Sequence, residues 1–428
     1  MAHCVALDKV LAVGVDPHRE SLDVVGIRFP EEILWDEGFD NCRAGHHALW
    51  AQARALAAEH DLSLVIGIEG GKNYGYTLGH FLTDRGCSVK SVNPLMTNRQ
   101  RQFYGQDKTN RLDALATAAI VFRAYDQLPD LSPIEEAYEA TRELSRYRTQ
   151  LVKEQTSAIN QLHRHLANQY PAYKSFFSKV NVVSALHFWA TYPTPAHLQE
   201  TSPEALADFF YQKSNHRLGK DASRRKADKI FRHLNDSPAQ TLPLLDEVLA
   251  TIISDMARRL LHLKRSIDSL DAELEKSLTA TGQKLDSFQG ISTALAGVLV
   301  GETQDTARFD HNKDRFASYN GTAPASRGTG NHVRQVENRW CNRRLKTAFD
   351  RVALNARRCE PLSTAYFQAC LDRGLSPRQA HKCLMRRLSD VLFAMMRDKT
   401  AYDPEIHRRK QALHKAKEKS VAPAVTGG

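Results

Sequence analysis

Two short apolar runs near the start of the chain each end in an acidic residue, and they constrain the fold more than any other feature. Val10 to Val15 is followed by Asp16, and Leu64 to Ile68 is followed by Glu69. Apolar runs of this length predict buried strands, and a further run, Ser21 to Ile27, predicts a hairpin partner for the first. The two acids are therefore expected at strand ends, where a sheet fixes the position of a side chain.

Helical patterns follow these strands along the chain. Tyr74 to Asp84 and Leu112 to Tyr125 predict helices, and Ser88 to Val92 predicts another strand. Because strands alternate with helices, the sequence predicts an α/β sheet domain. Pro129 to Pro133, which begins and ends in proline, is expected to be the linker that ends this domain.

A third acidic residue, Asp113, lies at the start of the second of these helices. Mg²⁺ and Mn²⁺ prefer oxygen ligands, and strand ends and helix starts can hold carboxylates in fixed positions. Asp16, Glu69 and Asp113 are therefore candidate metal ligands, and Asn110 lies one helical turn before Asp113 on the same face. Each acid alone could equally cap its strand or helix, so the metal hypothesis depends on the three together.

The middle of the chain predicts long helices. Ala137 to Leu166 can form one helix, and a second carries apolar residues spaced alternately by threes and fours. Such a seam is typical of a coiled coil, formed either within the chain as a helical hairpin or between copies. The basic stretch "SNHRLGKDASRRKADKIFRHLN" between them is either a solvated surface or a phosphate contact. The seam residues are Leu249, Ile252, Met256, Leu260, Leu263, Ile267, Leu270, Leu274 and Leu278.

The C-terminal part predicts helices around a polar loop. "FQGISTALAGVLVGE" is similar to a helix-hairpin-helix element, in which backbone amides at a helix start contact a phosphate. Phe309 to Tyr319, Arg343 to Asn355 and Pro377 to Arg397 predict helices, and "NGTAPASRGTGNHVRQ" predicts a loop rich in Gly, Ser and Thr. Arginines around this loop are candidate phosphate contacts, although a solvated basic surface explains them almost as well. They are Arg327, Arg334, Arg339, Arg343 and Arg344.

Composition favours a nucleic-acid-binding protein. The 428 residues include 59 Lys and Arg against 49 Asp and Glu, and the net charge of +10 favours a polyanionic partner. A basic protein without such a partner is the alternative.

Seven cysteines without a CxxC pair predict reduced thiols rather than disulfides or a zinc site. Without a long apolar run or a signal pattern, the protein is expected to be cytoplasmic.

A series of short motifs from about Leu11 to Pro404 resembles one known family. The motifs are "GVDPHRESLDV", "IGIEGGKNYGYTLGHFLTDRG", "VNPLMTNRQR", "DKTNRLDALA", "LDSFQGIS", "DRFASYNGTAP", "CNRRLKTAF" and "AYDP". In their order they are similar to those of the one-hundred-and-ten family of insertion-sequence transposases. These DEDD transposases include Piv-like invertases and bridge-RNA-guided serine recombinases.

The resemblance implies an architecture and a set of partners. It implies an α/β domain of RNase H or RuvC type over residues 1–130, a helical and coiled-coil region over 131–283 and a mainly α transposase domain over 284–405. Residues 406–428 form a basic tail that is predicted to be disordered. The resemblance also implies a DNA transposase or recombinase that uses Mg²⁺ or Mn²⁺. Its implied partners are donor and target DNA, a guide RNA and further copies of the chain, as a homodimer or homotetramer. The implied location is the prokaryotic cytoplasm, with nucleoid association when the protein is bound to DNA.

Two positions depart from the family pattern. The acidic tetrad of the family maps onto Asp16, Glu69, Asn110 and Asp113, with an amide at the third position. An amide oxygen can bind Mg²⁺, but it lacks the negative charge that strengthens binding. The family's serine nucleophile aligns with Thr329, whose methyl group crowds the attack of its hydroxyl. Ser326, three residues earlier, is an alternative nucleophile.

Three functions from different classes remain open on the sequence. The first is a recombinase in which Thr329 or Ser326 attacks a DNA phosphorus and forms a covalent protein–DNA ester. The second is a metal-dependent junction nuclease that needs no hydroxyl nucleophile. The third is a catalytically impaired descendant that binds DNA or RNA without cleaving it.

Overall fold

The structure is a computed structural model that describes residues 7–70, 74–105, 107, 109–131, 135–214, 216–236, 242–329 and 332–405. Of these, residues 7, 235, 236, 326–329 and 332–335 are described by their backbone alone. The chain forms two compact units. Unit 1 comprises Met1–Glu136 with Asp305–His311, and unit 2 comprises Ala137–Gln304 with Asn312–Gly428. None of the helices in the described part combines the length and apolar character that crossing a bilayer requires.

A five-stranded sheet with the order β3-β2-β1-β4-β5 forms the centre of unit 1. Strands β1, β2 and β3 pair antiparallel, whereas β4 runs parallel to both β1 and β5. The predicted hairpin and the predicted strands that precede Asp16 and Glu69 are confirmed. Strand β3 was not predicted. The strands are β1 Val10–Pro17, β2 Ser21–Arg28, β3 Glu32–Asp40, β4 Ser63–Glu69 and β5 Ser88–Val92.

Helices cover both faces of this sheet. One face packs on α1 and α2, where Leu49 and Leu78 join a core with Val13 and Val15 of β1. The opposite face packs on α4 through a second core. The sheet is therefore buried on both sides, as its continuous apolar strands require. The helices are α1 Arg43–Glu59, α2 Tyr76–Thr83, α3 Pro94–Arg101 and α4 Asn110–Ala124. The helices predicted at the positions of α2 and α4 are confirmed.

The stretch predicted as a linker after α4 is partly bound to the sheet. Ser91 N–H donates to the carbonyl of Pro129 at 3.0 Å, and Leu131 N–H donates to the carbonyl of Val89 at 2.8 Å. The Lys90 ammonium also donates to Asp130 Oδ1 at 2.5 Å. The linker prediction is therefore wrong for 129–131, because their backbone groups pair with edge strand β5. Pro133, the end of the predicted linker, lies outside the described residues.

Unit 2 begins with helices around an aromatic core. Phe188 and Trp189 of α7 are fully buried with Tyr170 and with Phe210 of α9. The basic helix α10 also joins this core through Ala227 and Ile230, so it is not entirely a solvated surface. The helices are α5 Glu136–Gln169, α6 Tyr173–Phe176, α7 Val183–Thr191, α8 Pro195–Gln199, α9 Pro203–Lys213, α10 Lys220–Asp236 and α11 Pro243–Thr281.

The two long helices α5 and α11 pair antiparallel within the chain. Thr141 Oγ1 donates to Ser277 Oγ at 3.1 Å near one end of α5, and Gln169 Nε2 donates to Asp246 Oδ1 at 2.9 Å at the other. Between these contacts, the predicted seam packs on α5 through a small core of Leu263, Ile267 and Leu151. This arrangement agrees with the intrachain helical hairpin, and self-association through a coiled coil stays a prediction.

The rest of unit 2 is mainly helical, as predicted, and contains one hairpin. The loop predicted in "NGTAPASRGTGNHVRQ" includes the antiparallel strands β6 and β7, so that prediction was wrong about the secondary structure. The helix predicted from Phe309 begins only at Lys313, because Asp310 and His311 both adopt a φ of 51°. The elements are α12 Thr293–Thr303, α13 Lys313–Tyr319, β6 Ala325–Thr329, β7 His332–Val336, α14 Arg343–Cys359, α15 Pro361–Asp372 and α16 Pro377–Asp398.

Candidate active site

The parallel pair of strands β1 and β4 brings two of the predicted acids to the same edge of the sheet. Val15 is in register with Ile68, so Asp16 and Glu69 follow side by side. Because alternate residues of a strand share a face, Gly14 and Asp16 face α4 together with Gly67 and Glu69. The strand pattern thus places two carboxylates beside the start of α4.

Glycines allow α4 to approach this face closely. A Cβ atom at Gly14 would lie 2.1 Å from the carbonyl oxygen of Ala114 and 2.3 Å from the backbone nitrogen of Ala118. A Cβ atom at Gly67 would lie 2.2 Å from Cγ2 of Val121. Glycine therefore leaves room for the backbone of α4 at Gly14 and for the Val121 side chain of α4 at Gly67. The close approach brings Asp113, in the first turn of α4, to the carboxylates of the strands.

Asp16, Glu69 and Asp113 form a group that we call the acid cluster. One carboxylate oxygen from each of the three lies within 4.8 Å of the others. Asp16 and Asp113 are 8% and 6% exposed, respectively. Glu69 is half-buried, and carboxylates this close repel one another unless a cation compensates them, while their oxygens suit a divalent ion such as Mg²⁺ or Mn²⁺. The residues present therefore fit a metal site.

Burial raises the pKa of Asp16 above its ordinary value. The nearby His18 opposes this shift, since its Nε2 lies 3.1 Å from Asp16 Oδ2, and the carboxylate of Asp113 adds to the shift. His18 is itself held in place, because Asn41 Nδ2 donates to its backbone carbonyl at 2.7 Å. The raised pKa therefore reflects mainly the loss of water around the Asp16 carboxyl.

Arg101 supplies a compensating charge that was not predicted from the sequence. Its Nη1 donates to Asp113 Oδ1 at 2.6 Å, and its Nη2 donates to Asn98 Oδ1 at 2.5 Å. Arg101 ends α3, which packs on α4 through a buried contact between the hydroxyls of Thr97 and Thr117 at 3.3 Å. The motif "VNPLMTNRQR" contains this arginine, but nothing in the motif distinguishes it from its neighbour Arg99.

Asn110 is the first residue of α4 and is exposed. The helix start is fixed by Thr109, whose Oγ1 accepts a hydrogen bond from Leu112 N–H at 3.2 Å. Asn110 therefore lies one turn before Asp113, as the sequence predicted. Asp107 is exposed, and among the described residues it is not part of the acid cluster.

The candidate nucleophiles lie in the hairpin of unit 2. The backbone of Ser326 pairs with Gln335, and that of Thr329 pairs with His332 at the end of the hairpin. The side chains of both, and those of Arg327 and Arg334, lie outside the described part. Three more of the predicted phosphate contacts, all exposed, follow the hairpin and lead into α14. They are Arg339, Arg343 and Arg344.

A buried carboxylate organises the start of α14. Glu302, 3% exposed, accepts hydrogen bonds from Arg146 Nε at 2.7 Å and from Asn342 Nδ2 at 2.9 Å. Asn342 in turn caps α14, since its Oδ1 accepts from the backbone N–H groups of Arg344 and Leu345 at 3.0 and 3.1 Å. The sequence did not reveal this network, because Glu302 and Arg146 are separated by 156 positions.

Comparisons with known proteins identify the family. Residues 13–171 match the DEDD_Tnp_IS110 model, described as a transposase, and residues 282–368 match the model described as the transposase IS116/IS110/IS902 family. The chain belongs to the IS110 family of transposases. The acid cluster lies within the first matched segment, and the β6–β7 hairpin lies within the second.

Relatives in this transposase family cover most of the chain. A 44.8 kDa protein of insertion element IS116 from Streptomyces clavuligerus is 28% identical over 405 residues, which are 92% of this chain and 93% of that protein. A 43.6 kDa protein of insertion element IS110 from Streptomyces coelicolor is 28% identical over 75% of this chain and 78% of its own length. The resemblance read from the motifs is therefore confirmed.

One solved structure, that of Thermus thermophilus RuvC, is similar to part of this transposase. The match covers 28% of this chain and 98% of RuvC, at 15% identity and a TM-score of 0.22. A similarity this weak carries no argument about site residues or activity.

Proposed function

We propose that this protein catalyses DNA strand cleavage and exchange for an insertion sequence, using a divalent metal ion held by Asp16, Glu69 and Asp113. The observation that carries this proposal is the acid cluster, in which three carboxylates lie within 4.8 Å inside the segment that matches the DEDD transposase model. The amide oxygen of Asn110 is proposed as a weak fourth ligand. Mg²⁺ is the proposed ion, with Mn²⁺ as a substitute.

The chemistry divides between the metal site and a hydroxyl nucleophile. When bound, the metal ion supplies charge neutralisation and Lewis-acid polarisation of a DNA phosphate. The hydroxyl oxygen of Thr329 or Ser326 forms a bond to phosphorus and loses its proton, while the DNA sugar oxygen leaves with its electron pair and takes up a proton. The resulting protein–DNA ester keeps the energy of the phosphodiester, so the reverse reaction can join a new strand.

The proposed partners are donor and target DNA, a guide RNA and further copies of the chain, as a dimer or tetramer. The net charge of +10 supports polyanionic partners, because basic side chains gain free energy by releasing counterions from nucleic acid. The exposed arginines Arg339, Arg343 and Arg344 are proposed phosphate contacts, together with Arg327 and Arg334. We also propose that unit 1 is RuvC-like and that the protein acts in the cytoplasm, on the nucleoid.

A catalytically impaired nucleic-acid-binding protein is the second candidate. Asn110 supports it, because an amide replaces a charged ligand, and the ion pair between Arg101 and Asp113 further reduces the negative charge of the acid cluster. A metal-dependent junction nuclease would instead retain the acids and need no hydroxyl. The reaction products distinguish these two candidates from the recombinase: the impaired protein would form none, and the nuclease would cleave DNA without forming a covalent protein–DNA ester.

Strand exchange with the cognate DNA ends and RNA tests the metal site. Asp16→Ala, Glu69→Ala and Asp113→Ala are each expected to reduce exchange by roughly a thousandfold, since loss of several kcal/mol of charge stabilisation slows a reaction by that order. Asp36→Ala is the matched control, because Asp36 belongs to the same sheet but pairs with Arg111 instead. Circular dichroism should show folded protein in all four variants. Full activity in all three cluster variants would disprove the metal-site assignment.

The covalent protein–DNA product identifies the nucleophile. If Thr329→Ala abolishes this product and Ser326→Ala does not, Thr329 is the nucleophile, and the opposite result assigns Ser326. Strand cleavage without a covalent product would favour the junction nuclease. Intact DNA binding with no cleavage in the wild type would favour the impaired descendant.

A further inference from the structure

The segment that connects α3 to α4 exposes two consecutive aromatic side chains. Phe103 is 83% exposed and Tyr104 is 37% exposed. Exposure of a whole phenyl ring forgoes the free energy that burial of its apolar surface would provide. Two adjacent exposed aromatics on a well-defined turn therefore suggest a ligand with a flat apolar face.

Backbone hydrogen bonds fix the course of the chain at these two aromatics. Phe103 N–H donates to the carbonyl of Gln100 at 3.1 Å, and Tyr104 N–H donates to the carbonyl of Arg101 at 2.8 Å. Gln100 Nε2 also donates to the Tyr104 hydroxyl at 3.4 Å. The turn of α3 thus continues through both aromatics, and a prearranged surface loses less conformational entropy on binding than a loose one.

Arg101 connects these aromatics to the acid cluster. Its guanidinium donates to Asp113 at 2.6 Å, and its backbone lies two residues before Phe103, or at most about 7.6 Å along the Cα trace. The backbone of the aromatic pair therefore begins close to the residue whose guanidinium contacts the acid cluster.

Basic residues flank the aromatics. Arg99 and Arg101 precede them, and Arg111 follows them in the first turn of α4. Arg101 pairs with Asp113, and Arg111 pairs with Asp36. The net charge of +10 of the whole chain, rather than these paired arginines, supports a polyanionic partner. Exposed aromatic rings are typical of surfaces that bind single-stranded nucleic acid, because the rings stack on bases.

We propose that Phe103 and Tyr104 form a stacking platform for an unpaired DNA base next to the strand-cleavage site. This proposal rests on the proposed function for the location of the scissile phosphate. Stacking on an aromatic ring requires an unpaired base but no particular sequence, since every base has a π-face. The platform would hold the cleaved strand open and leave sequence selection to other contacts.

Binding of a single-stranded oligonucleotide that carries 2-aminopurine tests the platform, because stacking quenches the fluorescence of this base. The assay uses the full chain with Ca²⁺ and needs no cleavage. The wild type should quench the fluorescence, and Phe103→Ala combined with Tyr104→Ala should bind about ten- to hundredfold more weakly, as expected for loss of a stacked base. Phe103→Trp should retain binding and quenching, because the indole ring also stacks.

Phe29→Ala is the matched control, and it should bind like the wild type. Phe29 is 55% exposed and directly follows β2, whose Ile27 pairs with Ala12, so it lies at the opposite end of the sheet from Asp16. Unchanged binding and quenching in the double variant would overturn the proposal. The proposal would also be overturned if the double variant lost self-association in sedimentation but still bound the oligonucleotide. The two aromatics would then contact another copy of the protein.

The proposal and the proposed function can fail separately. Active carboxylate variants with normal quenching would overturn the metal site and leave the stacking platform intact. Inactive carboxylate variants with unchanged oligonucleotide binding in the double aromatic variant would overturn the platform alone.

Discussion

The two units both bury carboxylates, but the neighbours of these carboxylates differ. In unit 2, Glu302 accepts two hydrogen bonds from Arg146, at 2.7 and 3.1 Å, and a third from Asn342 at 2.9 Å. In unit 1, Asp16, Glu69 and Asp113 lie within 4.8 Å of one another. Glu302 is thus bonded by a cationic and an amide donor, whereas the acid cluster brings three carboxylates together beside Arg101 and His18, and their oxygens suit a divalent cation.

The pKa values of the two sites shift in opposite directions. Loss of water on burial disfavours the charged form of both carboxyls, and by itself it would raise the pKa of Glu302 and of Asp16 alike. At Glu302 the hydrogen bonds from Arg146 and Asn342 outweigh burial, and the pKa lies below its ordinary value. At Asp16 the contribution of His18 is smaller than that of burial, and the pKa lies above its ordinary value. Burial alone therefore does not distinguish a structural acid from a functional one.

Removing one carboxylate from each site should produce the largest difference in unfolding free energy between the two units. Glu302→Ala removes the hydrogen-bond acceptor of Arg146 and Asn342, although Arg146 keeps Glu143 at 3.8 Å, and it is expected to cost roughly 2–3 kcal/mol of unfolding free energy. Asp16→Ala relieves repulsion and should leave stability unchanged or slightly higher. Urea unfolding of both variants measures the difference. Glu302→Gln is the control, because its amide oxygen still accepts hydrogen bonds. Equal losses at Asp16 and Glu302 would contradict the distinction.

Moving α4 away from the sheet should disrupt unit 1 without removing an acid. Gly14→Ala places a Cβ atom 2.1 Å from the carbonyl of Ala114, the residue after Asp113, so the helix must shift. Overpacking of this kind costs about 1–3 kcal/mol, and the shift should also weaken metal binding. Calorimetric titration with Mg²⁺ measures the second effect. Gly38→Ala is the control, since the nearest atom would lie at 3.9 Å. Normal metal binding in Gly14→Ala would contradict the proposed role of the close approach.

The pH dependence of stability provides a smaller test of Glu302. Its folded pKa is lower than the ordinary value of 4.5, so its charged form contributes stability that is fully present above that value. This contribution is lost as the pH falls through the folded pKa. The difference in unfolding free energy between the wild type and Glu302→Gln should therefore be largest near neutral pH and disappear in acid. A difference that grows in acid would contradict the assignment.

The strand-borne acids could be predicted because their signals are local. An apolar run that ends in an acid specifies both a buried strand and the position of the carboxylate. Strand β3 was missed because its sequence, "EILWDEGFD", mixes acids with apolar residues at an edge of the sheet. The β6–β7 hairpin was interpreted as a loop because its first strand, "ASRGT", contains Gly, Ser and Thr and lacks a run of apolar residues.

Contacts between distant segments could not be predicted. The pairing of Arg101 with Asp113 depends on the packing of α3 against α4, and either of two neighbouring arginines could have filled this role. The pairing of Glu302 with Arg146 joins α12 to α5 across 156 positions. A sequence shows which residues can ionise, but only the packing shows which charges are compensated.

The smallest effect is expected at Asn110, where the acid cluster departs from the family tetrad. Asn110→Asp adds a carboxylate one turn before Asp113 and should increase Mg²⁺ affinity by roughly tenfold or less, which corresponds to about 1.4 kcal/mol. Calorimetric titration measures the affinity, and covalent protein–DNA product measures strand cleavage. Asp107→Asn is the control, because Asp107 is an exposed acid outside the acid cluster and its loss should leave the affinity unchanged.

Combining Asn110→Asp with Thr329→Ser separates an adapted site from a decayed one. If both positions have decayed, wild-type cleavage should be weak and the double variant should recover more activity than either single variant. If the site has adapted to an amide, the wild type should already cleave, and the added carboxylate should increase repulsion within the acid cluster and give little gain. A loss of metal affinity in Asp107→Asn as large as the gain in Asn110→Asp would make Asp107 the fourth ligand. The negative charge missing at Asn110 would then come from the segment before α4.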